Sequence, residues 1–289
     1  MHPGTRLREL LARPEIVVLP GVHDALSAKL AQAHGFEAVL AGGNAATGVL
    51  LGEPDLGQLS MRDYIDHYAR IAAAIALPLL VDADTGFGGV HNVQQMVRGF
   101  ERAGVAGFFM EDQATPKRCG YLAGKSVIPI AEMVAKIHAA LDARTDPALV
   151  ICARTDALGI HGRDEAIERA LRYREAGADM TFVQGADRIE DLTAICAAVS
   201  GPQLANVSQA AQGRAMPVSE IERAGAAAVM YSITTMLAAA HGVDTALAKL
   251  KRDSHLGGIE DSLMSMDRYN ELVGLSGKEA LEQRYATPE

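Results

Sequence analysis

LLVDADTGFGG (residues 79–89) and, one amphipathic segment later, GFFMEDQATPKRCGYLAGK (residues 107–125) decide how this chain folds. Each opens with a short run that is apolar at every position, Leu79-Leu80-Val81 and Phe108-Phe109-Met110. A run of that kind reads as a strand covered on both faces, as in a parallel sheet flanked by helices. Each run ends by presenting acids: Asp82 and Asp84 in the first, Glu111 and Asp112 in the second. Spacing by two puts Asp82 and Asp84 on one side of an extended chain, a pair of hard oxygen donors suited to a hard cation. The flexible Gly86, Gly88 and Gly89 follow the first pair, and a polar loop with Lys117, Arg118 and Cys119 follows the second. A metal site beside a thiol in a basic loop points to an enzyme.

Outward from these segments the same unit recurs. Apolar runs at 16–20, 37–41, 77–84, 106–112, 148–155, 179–184, 203–207 and 226–232 are candidate strands. Helical periodicity fills 25–34, 61–75, 92–103, 130–143, 164–176, 189–199, 218–224 and 234–250, and three of these close on an Ala-Gly pair suited to a left-handed C-cap. The alternation predicts an α/β fold, a (β/α)8 TIM-type barrel. A doubly wound open sheet is the second choice, and the GxGxxG that would open it is missing.

The 289 residues, 49% hydrophobic and 22% charged, match one barrel domain over 1–289, with a loop at about 113–127 and a helical extension at about 251–289. A net charge of -9 argues against a nucleic-acid partner. Cysteines at 119, 152 and 196 form no paired framework, the N-terminus has no apolar signal core, and no run is long enough for a bilayer. The expectation is a reduced, cytoplasmic protein with no membrane partner. Under the barrel reading Ala41, Gly42, Gly43, Asn44, Asp82, Asp84, Glu111, Arg154, Gln184, Asn206 and Tyr231 all fall at strand C-terminal ends, where barrel active sites are built.

AGGNAATG, GEPDLG, DADTGFGG, EDQATPKRCG, ARTDA and LAN, in this order, resemble the isocitrate lyase and phosphoenolpyruvate mutase superfamily, from Pro20 to about Ala286. KRCG and the C-terminal RYNELVGLSGKEALEQRYA are most similar to its 2-methylisocitrate lyase, dimethylmalate lyase and oxaloacetate hydrolase branch. The resemblance implies a barrel whose last helix is swapped between subunits, a homotetramer, one Mg²⁺ per site (Mn²⁺ as a substitute), and a 2-oxo acid enolate intermediate. It implies that Asp82 binds the metal directly while Asp55, Asp84 and Glu111 hold its waters. It makes Cys119 the acid–base group of a gating loop, with Lys117 and Arg154 beside it as catalytic residues. Ala41, Gly42, Gly43, Arg118, Gly120, Tyr121, Gln184, Asn206 and Ser208 then surround a small di- or tricarboxylate.

Plainer readings stand beside these. Asp82 and Asp84 also suit capping of the next helix, which would leave Glu111 and Asp55 unexplained. Gly42-Gly43 is also an ordinary turn. Arg154 suits a bidentate grip on a carboxylate and equally a pairing with Asp156 or Glu111. Lys117 and Arg118 favour a thiolate at Cys119, whereas Cys152 and Cys196, on apolar surroundings, read as inert. Two positions depart from the branch: Tyr121 stands where KRCGH has histidine, and Gln184 where a glutamate is usual. The combined expectation is a Mg²⁺-dependent carbon–carbon lyase cleaving a 2-hydroxy dicarboxylate of the 2-methylisocitrate or dimethylmalate type. The alternatives are an oxaloacetate decarboxylase or C–C hydrolase, a phosphonopyruvate-type mutase or hydrolase, which KRCG disfavours, and an inactive carboxylate-binding paralogue.

Overall fold

A computed structural model describes residues 2–207, 216–255 and 257–286, without the side chain of Asp261. Among them the elements run α1 (Pro3–Leu11), β1 (Val17–Pro20), α2 (Ala25–Ala33), β2 (Val39–Ala41), α3 (Gly43–Leu51), α4 (Met61–Ala74), β3 (Leu79–Asp82) and α5 (Val90–Ala103). They continue β4 (Gly107–Glu111), α6 (Ile130–Ala143), β5 (Val150–Thr155), α7 (Leu158–His161), α8 (Arg163–Glu175), β6 (Met180–Val183) and α9 (Ile189–Ala198). The chain ends with β7 (Gln203–Asn206), α10 (Val218–Arg223), β8 (Ala228–Tyr231), α11 (Thr234–Asp253), α12 (Met266–Val273) and α13 (Leu275–Tyr285).

All eight strands are parallel and hydrogen-bonded in the order β1-β8-β7-β6-β5-β4-β3-β2. A single bridge, Gly21 with Leu40, brings β1 back to β2, so the sheet is a nearly closed (β/α)8 barrel. Every expected strand is present and shorter than its apolar run, because the flanking residues turn toward the helices. The three Ala-Gly pairs end their helices as expected, with Gly104, Gly177 and Gly225 at positive φ.

Strand parity separates two cores. Leu19, Leu40, Leu80, Phe109, Cys152, Phe182 and Met230 face inward, and α1 adds Leu7, Leu10 and Leu11 to the same cluster. An added Cβ on Gly4 would lie 2.4 Å from the Ala148 carbonyl, so α1 is seated against the entry of β5 and plugs the N-terminal end of the barrel. Val39, Ala41, Val81, Phe108, Met110 and Ile151 face outward and pack on α4, α5 and α6 through Tyr68, Phe100 and Ile137. Plugged below and wrapped outside, the barrel keeps one end for chemistry.

Helices α1, α3 and α7 were not expected. The last two lie just beyond strand ends, in short segments whose periodicity is weak. Among the described residues no helix is long and apolar enough to cross a membrane.

Candidate active site

Four acids converge above the C-terminal strand ends. β3 is buried at all four positions and delivers Asp82, 6% exposed, into the mouth. Its Oδ2 accepts from the Gly43 amide at 2.9 Å and its Oδ1 from the Asp84 amide at 2.9 Å. Asp82 is thus a helix cap, but for α3, donated across from the next strand, rather than for the helix that follows it. The Gly43 N–H expected to meet substrate is committed to this bond. Asp84 follows at φ 44, a left-handed conformation that Asp tolerates better than most residues. Asp55 enters from the segment between α3 and α4, and Glu111 ends β4.

Lys117 joins these acids. Its ammonium, on a side chain only 5% exposed, lies 2.7 Å from Asp55 and 2.6 Å from Asp84. It therefore faces carboxylates and is not the neighbour expected to favour a Cys119 thiolate. Burial pushes the Asp84 carboxyl up to about 7, with Lys117 opposing the rise and Asp82 adding to it. Burial also holds the Glu111 carboxyl well above the usual range, against Arg154. Burial alone would lower the Lys117 ammonium; Asp84, Asp82, Glu111 and Asp55 together reverse that and keep it protonated.

Arg154, near the end of β5, satisfies both plain alternatives. It lies 3.0 Å from Glu111 and 2.8 Å from Asp156, and its guanidinium stands over the Phe182 ring at 5.2 Å. Asp112, the acid next to Glu111, faces away from the mouth. It accepts from Thr155 Oγ1, the Asp156 amide, Arg169 and the Tyr173 hydroxyl, and so ties β4 to β5 and α8.

The loop at 113–127 covers the mouth. Its base is zipped by the Gln113–Val127 bridge, and the Gln113 side chain clasps Arg118 at its N–H and its C=O. At the tip Cys119 donates its amide to the Asp55 carbonyl at 3.1 Å, while its sulfur accepts from Asn44 at 3.3 Å. Gly120 touches bottom: a Cβ there would sit 2.6 Å from Arg154 Nη2 and 2.8 Å from Gln184 Cδ. Tyr121 places its hydroxyl 2.7 Å from the Asn206 amide nitrogen, which is also 3.3 Å from Gln184 Oε1.

These residues enclose a cavity of about 50 Å³ lined by Gly42, Gly43, Asn44, Asp55, Asp82, Glu111, Lys117, Arg118, Cys119, Gly120, Tyr121, Arg154, Gln184 and Asn206. Leu40, Phe109, Met230, Ser232 and Ile233 complete the wall; nothing chemical in their sequence context marked them. Asp84 lines instead a neighbouring cavity of about 350 Å³, on the far side of Lys117. Ala41 is 1% exposed and packs outward in the helix layer, so it does not reach the site. Tyr231 likewise packs outward, among Ile189, Val207 and Met216. Ser208 lies outside the described residues. Cys152 is fully buried and burial pushes its thiol up; burial pushes the Cys196 thiol up to about 11.

Among the described residues no three of His, Cys, Asp and Glu stand ready in coordinating geometry, for the Lys117 ammonium fills the gap between Asp55 and Asp84. The donor set nevertheless fits a hard dication. Asp55, Asp82, Asp84, Glu111 and Asp156 are five buried carboxyl groups facing three cations, Lys117, Arg154 and Lys125, an excess of two acids that burial keeps partly protonated at Asp84 and Glu111 and that a dication would ionise. Glu111 Oε1, moreover, is buried with no hydrogen-bond partner among the described residues.

Residues 7–251 match the family model described as phosphoenolpyruvate phosphomutase. The chain is 37% identical to 2,3-dimethylmalate lyase of Eubacterium barkeri, covering 99% of both chains, and 38% identical to 2-methylisocitrate lyase of Shewanella oneidensis, covering 98% and 97%. Oxaloacetate acetylhydrolase in complex with 3,3-difluorooxalacetate superposes with a TM-score of 0.92 at 33% identity, over 98% of this chain and 96% of that one. Phosphonopyruvate hydrolase in complex with oxalate and Mg²⁺ superposes with a TM-score of 0.89 at 29% identity, over 99% of both. With its barrel, its strand-end acids and this coverage, the chain belongs to the phosphoenolpyruvate mutase and isocitrate lyase superfamily and is an enzyme.

Proposed function

We propose that the protein is a Mg²⁺-dependent carbon–carbon lyase that cleaves a small 2-hydroxy dicarboxylate and releases a 2-oxo acid. The observation that carries this reading is the meeting, around one small cavity, of the acids Asp82 and Glu111, the cation Arg154 and the thiol Cys119. Asp82 would hold Mg²⁺ directly, with Asp84, Asp55 and Glu111 reaching its waters, since Mg²⁺ keeps several waters and takes few carboxylates. When bound, the metal would supply electrophilic stabilisation of the 2-oxyanion left as the substrate hydroxyl loses its proton, the oxygen that becomes the carbonyl of the 2-oxo acid.

The chain's own residues do the rest. Arg154, fixed between Glu111 and Asp156, presents its remaining surface to a substrate carboxylate beneath Gly120. The Gly42-Gly43 turn closes one wall. Cys119 stands over the cavity, where it gives a proton to the α-carbon of the departing acid, which has taken the electron pair of the broken bond, while the loop excludes water from that carbanion. Lys117 neutralises the acids whenever the metal is away.

Substrate size follows from the other wall. Tyr121, Asn206 and Gln184 offer neutral groups joined to one another, and Gln184 Nε2 is buried with no hydrogen-bond partner among the described residues, a donor left for one acceptor oxygen. Among the described residues Tyr121, Asn206 and Gln184 put no positive charge on this wall for a third carboxylate. The preferred substrates are therefore alkyl-substituted malates, with oxaloacetate cleaved by water as a second reading that the superposition on oxaloacetate acetylhydrolase favours.

Proton NMR of the purified protein with Mg²⁺ and, separately, 2,3-dimethylmalate, oxaloacetate and 2-methylisocitrate tests this. Cleavage of dimethylmalate ahead of methylisocitrate is expected. Tyr121→His should recover roughly 10- to 100-fold in kcat/KM for the tricarboxylate, the worth of a charged hydrogen bond. Methylisocitrate as the best wild-type substrate, indifferent to Tyr121→His, defeats the specificity reading. No turnover of any of the three defeats the lyase.

The assembly belongs to the same proposal. α11 is 20 residues long with no buried residue, and it exposes Leu237, Val243, Leu247 and Leu250. A groove of about 390 Å³ beside α2, lined by Leu26, Leu30, Phe36 and Ala238, stands open at its start. Exchange of this helix between copies, within a homotetramer, would cover both.

A further inference from the structure

Lys125, so far only counted among the cations of the cluster, spans from the 113–127 loop to the barrel. Its side chain is 11% exposed and its ammonium lies 2.8 Å from Asp156 Oδ1, on a side chain with no exposure at all. The same ammonium donates to the Gly120 carbonyl at 2.5 Å. Asp156 Oδ1 is shared, since Arg154 Nη2 reaches it at 3.2 Å while Arg154 Nε takes Oδ2 at 2.8 Å. Asp156 itself is held by its own amide, which donates to Asp112 at 3.0 Å.

The two partners of Lys125 belong to different bodies. Asp156 directly follows β5 and is tied to Asp112 through its amide. Gly120 is the loop residue that presses on Arg154 and Gln184, one position after Cys119. Burial of an ammonium is compensated only when its donors are met, and here both are met only while the loop is down. The planar fork of an arginine would meet this pair less well; the compact three-donor head of lysine points one N–H at each body.

We propose that Lys125 is a positioning residue of this site, which bridges the loop tip to the carboxylate that orients Arg154 and so makes loop descent and the setting of Arg154 a single event. The role rests on the reading of this cavity as the catalytic site. A lysine that served fold stability alone would change melting; a positioning lysine changes how long Cys119 stays covered and how fast the chemical step runs.

The test uses the full chain with Lys125→Met, Lys125→Gln and Lys125→Arg. Melting curves establish folding, and iodoacetamide alkylation is mapped by mass at Cys119 and Cys196, with and without Mg²⁺ plus oxalate as probe. In Lys125→Met and Lys125→Gln the alkylation of Cys119 should rise about tenfold, the shift expected from one charge-assisted hydrogen bond, with Cys196 unchanged. In the same variants kcat should fall while KM holds, and Lys125→Arg, which keeps the charge, should restore part of both. Cys119 alkylation at the wild-type rate in the folded variants overturns the proposal, and so does failure of both truncations to fold, which would make Lys125 a stability residue. The alkylation arm needs no turnover. If no carboxylate is cleaved by the wild type while Cys119 behaves as expected, the lyase reading falls and the bridge stands.

Discussion

Asp82 is committed twice before any ligand arrives, to the amides of Gly43 and Asp84. Asp82→Asn keeps one acceptor and sets an N–H against a backbone N–H, so it should fold with a stability loss of about 1–3 kcal/mol and lose Mn²⁺ binding. Calorimetric titration with Mn²⁺ checks this; wild-type affinity in the variant would remove Asp82 from the metal site. Gly120 is the other single position on which the site turns. Gly120→Ala drives a methyl into Arg154 and Gln184 and should hold the loop up, lowering kcat/KM by about 100-fold or more while melting stays unchanged. A near-normal rate in Gly120→Ala would mean that the loop does not descend in turnover. Neither behaviour is legible in the sequence, where Asp82 is an acid after a strand and Gly120 one glycine among several.

At the scale of elements, every strand was readable because a parallel barrel strand is buried on both faces and is written as an unbroken apolar run. The same property hides parity. Leu40 lines the cavity and Ala41 the helix layer, yet neither face of β2 is polar, so the run cannot say which residue points inward. Helix α3 was missed because GNAATGVLL has a glycine N-cap with no side-chain bond of its own; its cap comes from Asp82 on β3. On α4, burial lowers the His67 pKa below its ordinary value, with Arg70 adding to the effect. A folded-state value below the unfolded one means that the unfolded chain takes the proton first. His67 thus contributes stability that is full above about pH 6.5 and is lost as pH falls toward the folded-state value. Urea midpoints measured with Mg²⁺ from about pH 7.5 to 5 should fall, and His67→Gln should flatten part of that slope; an identical slope in the variant would assign the loss elsewhere.

For the whole molecule the governing quantity is charge held away from water. Five carboxylates and three cations share one barrel end, and their excess suits a dication that would bind the folded state alone. Chelation should therefore lower Tm, and Mg²⁺ should restore it by mass action; a Tm indifferent to both would contradict a metal in this cluster. The second quantity is apolar surface left open along α11. Val243→Glu with Leu247→Glu, at positions 59% exposed, should reduce the assembly to a smaller species in sedimentation while the barrel spectrum persists. Unchanged mass in that double variant would show that the helix does not carry the contact.

The sequence by itself determined the (β/α)8 barrel and singled out Asp55, Asp82, Asp84, Glu111, Cys119 and Arg154, which the fold gathers at one barrel end, because strand ends, acid spacing and segment order are local or ordered features of one line of residues. Only the tertiary structure decided who meets whom: that Lys117 faces Asp55 and Asp84, that Gly43 is spent on Asp82, that Ala41 and Tyr231 turn outward, and that Lys125 spans from the loop to Asp156. Pairings across 31 to 62 residues depend on where strands and loops come to rest in space, and a buried charge takes its partner from whatever the closed barrel brings within about 3 Å.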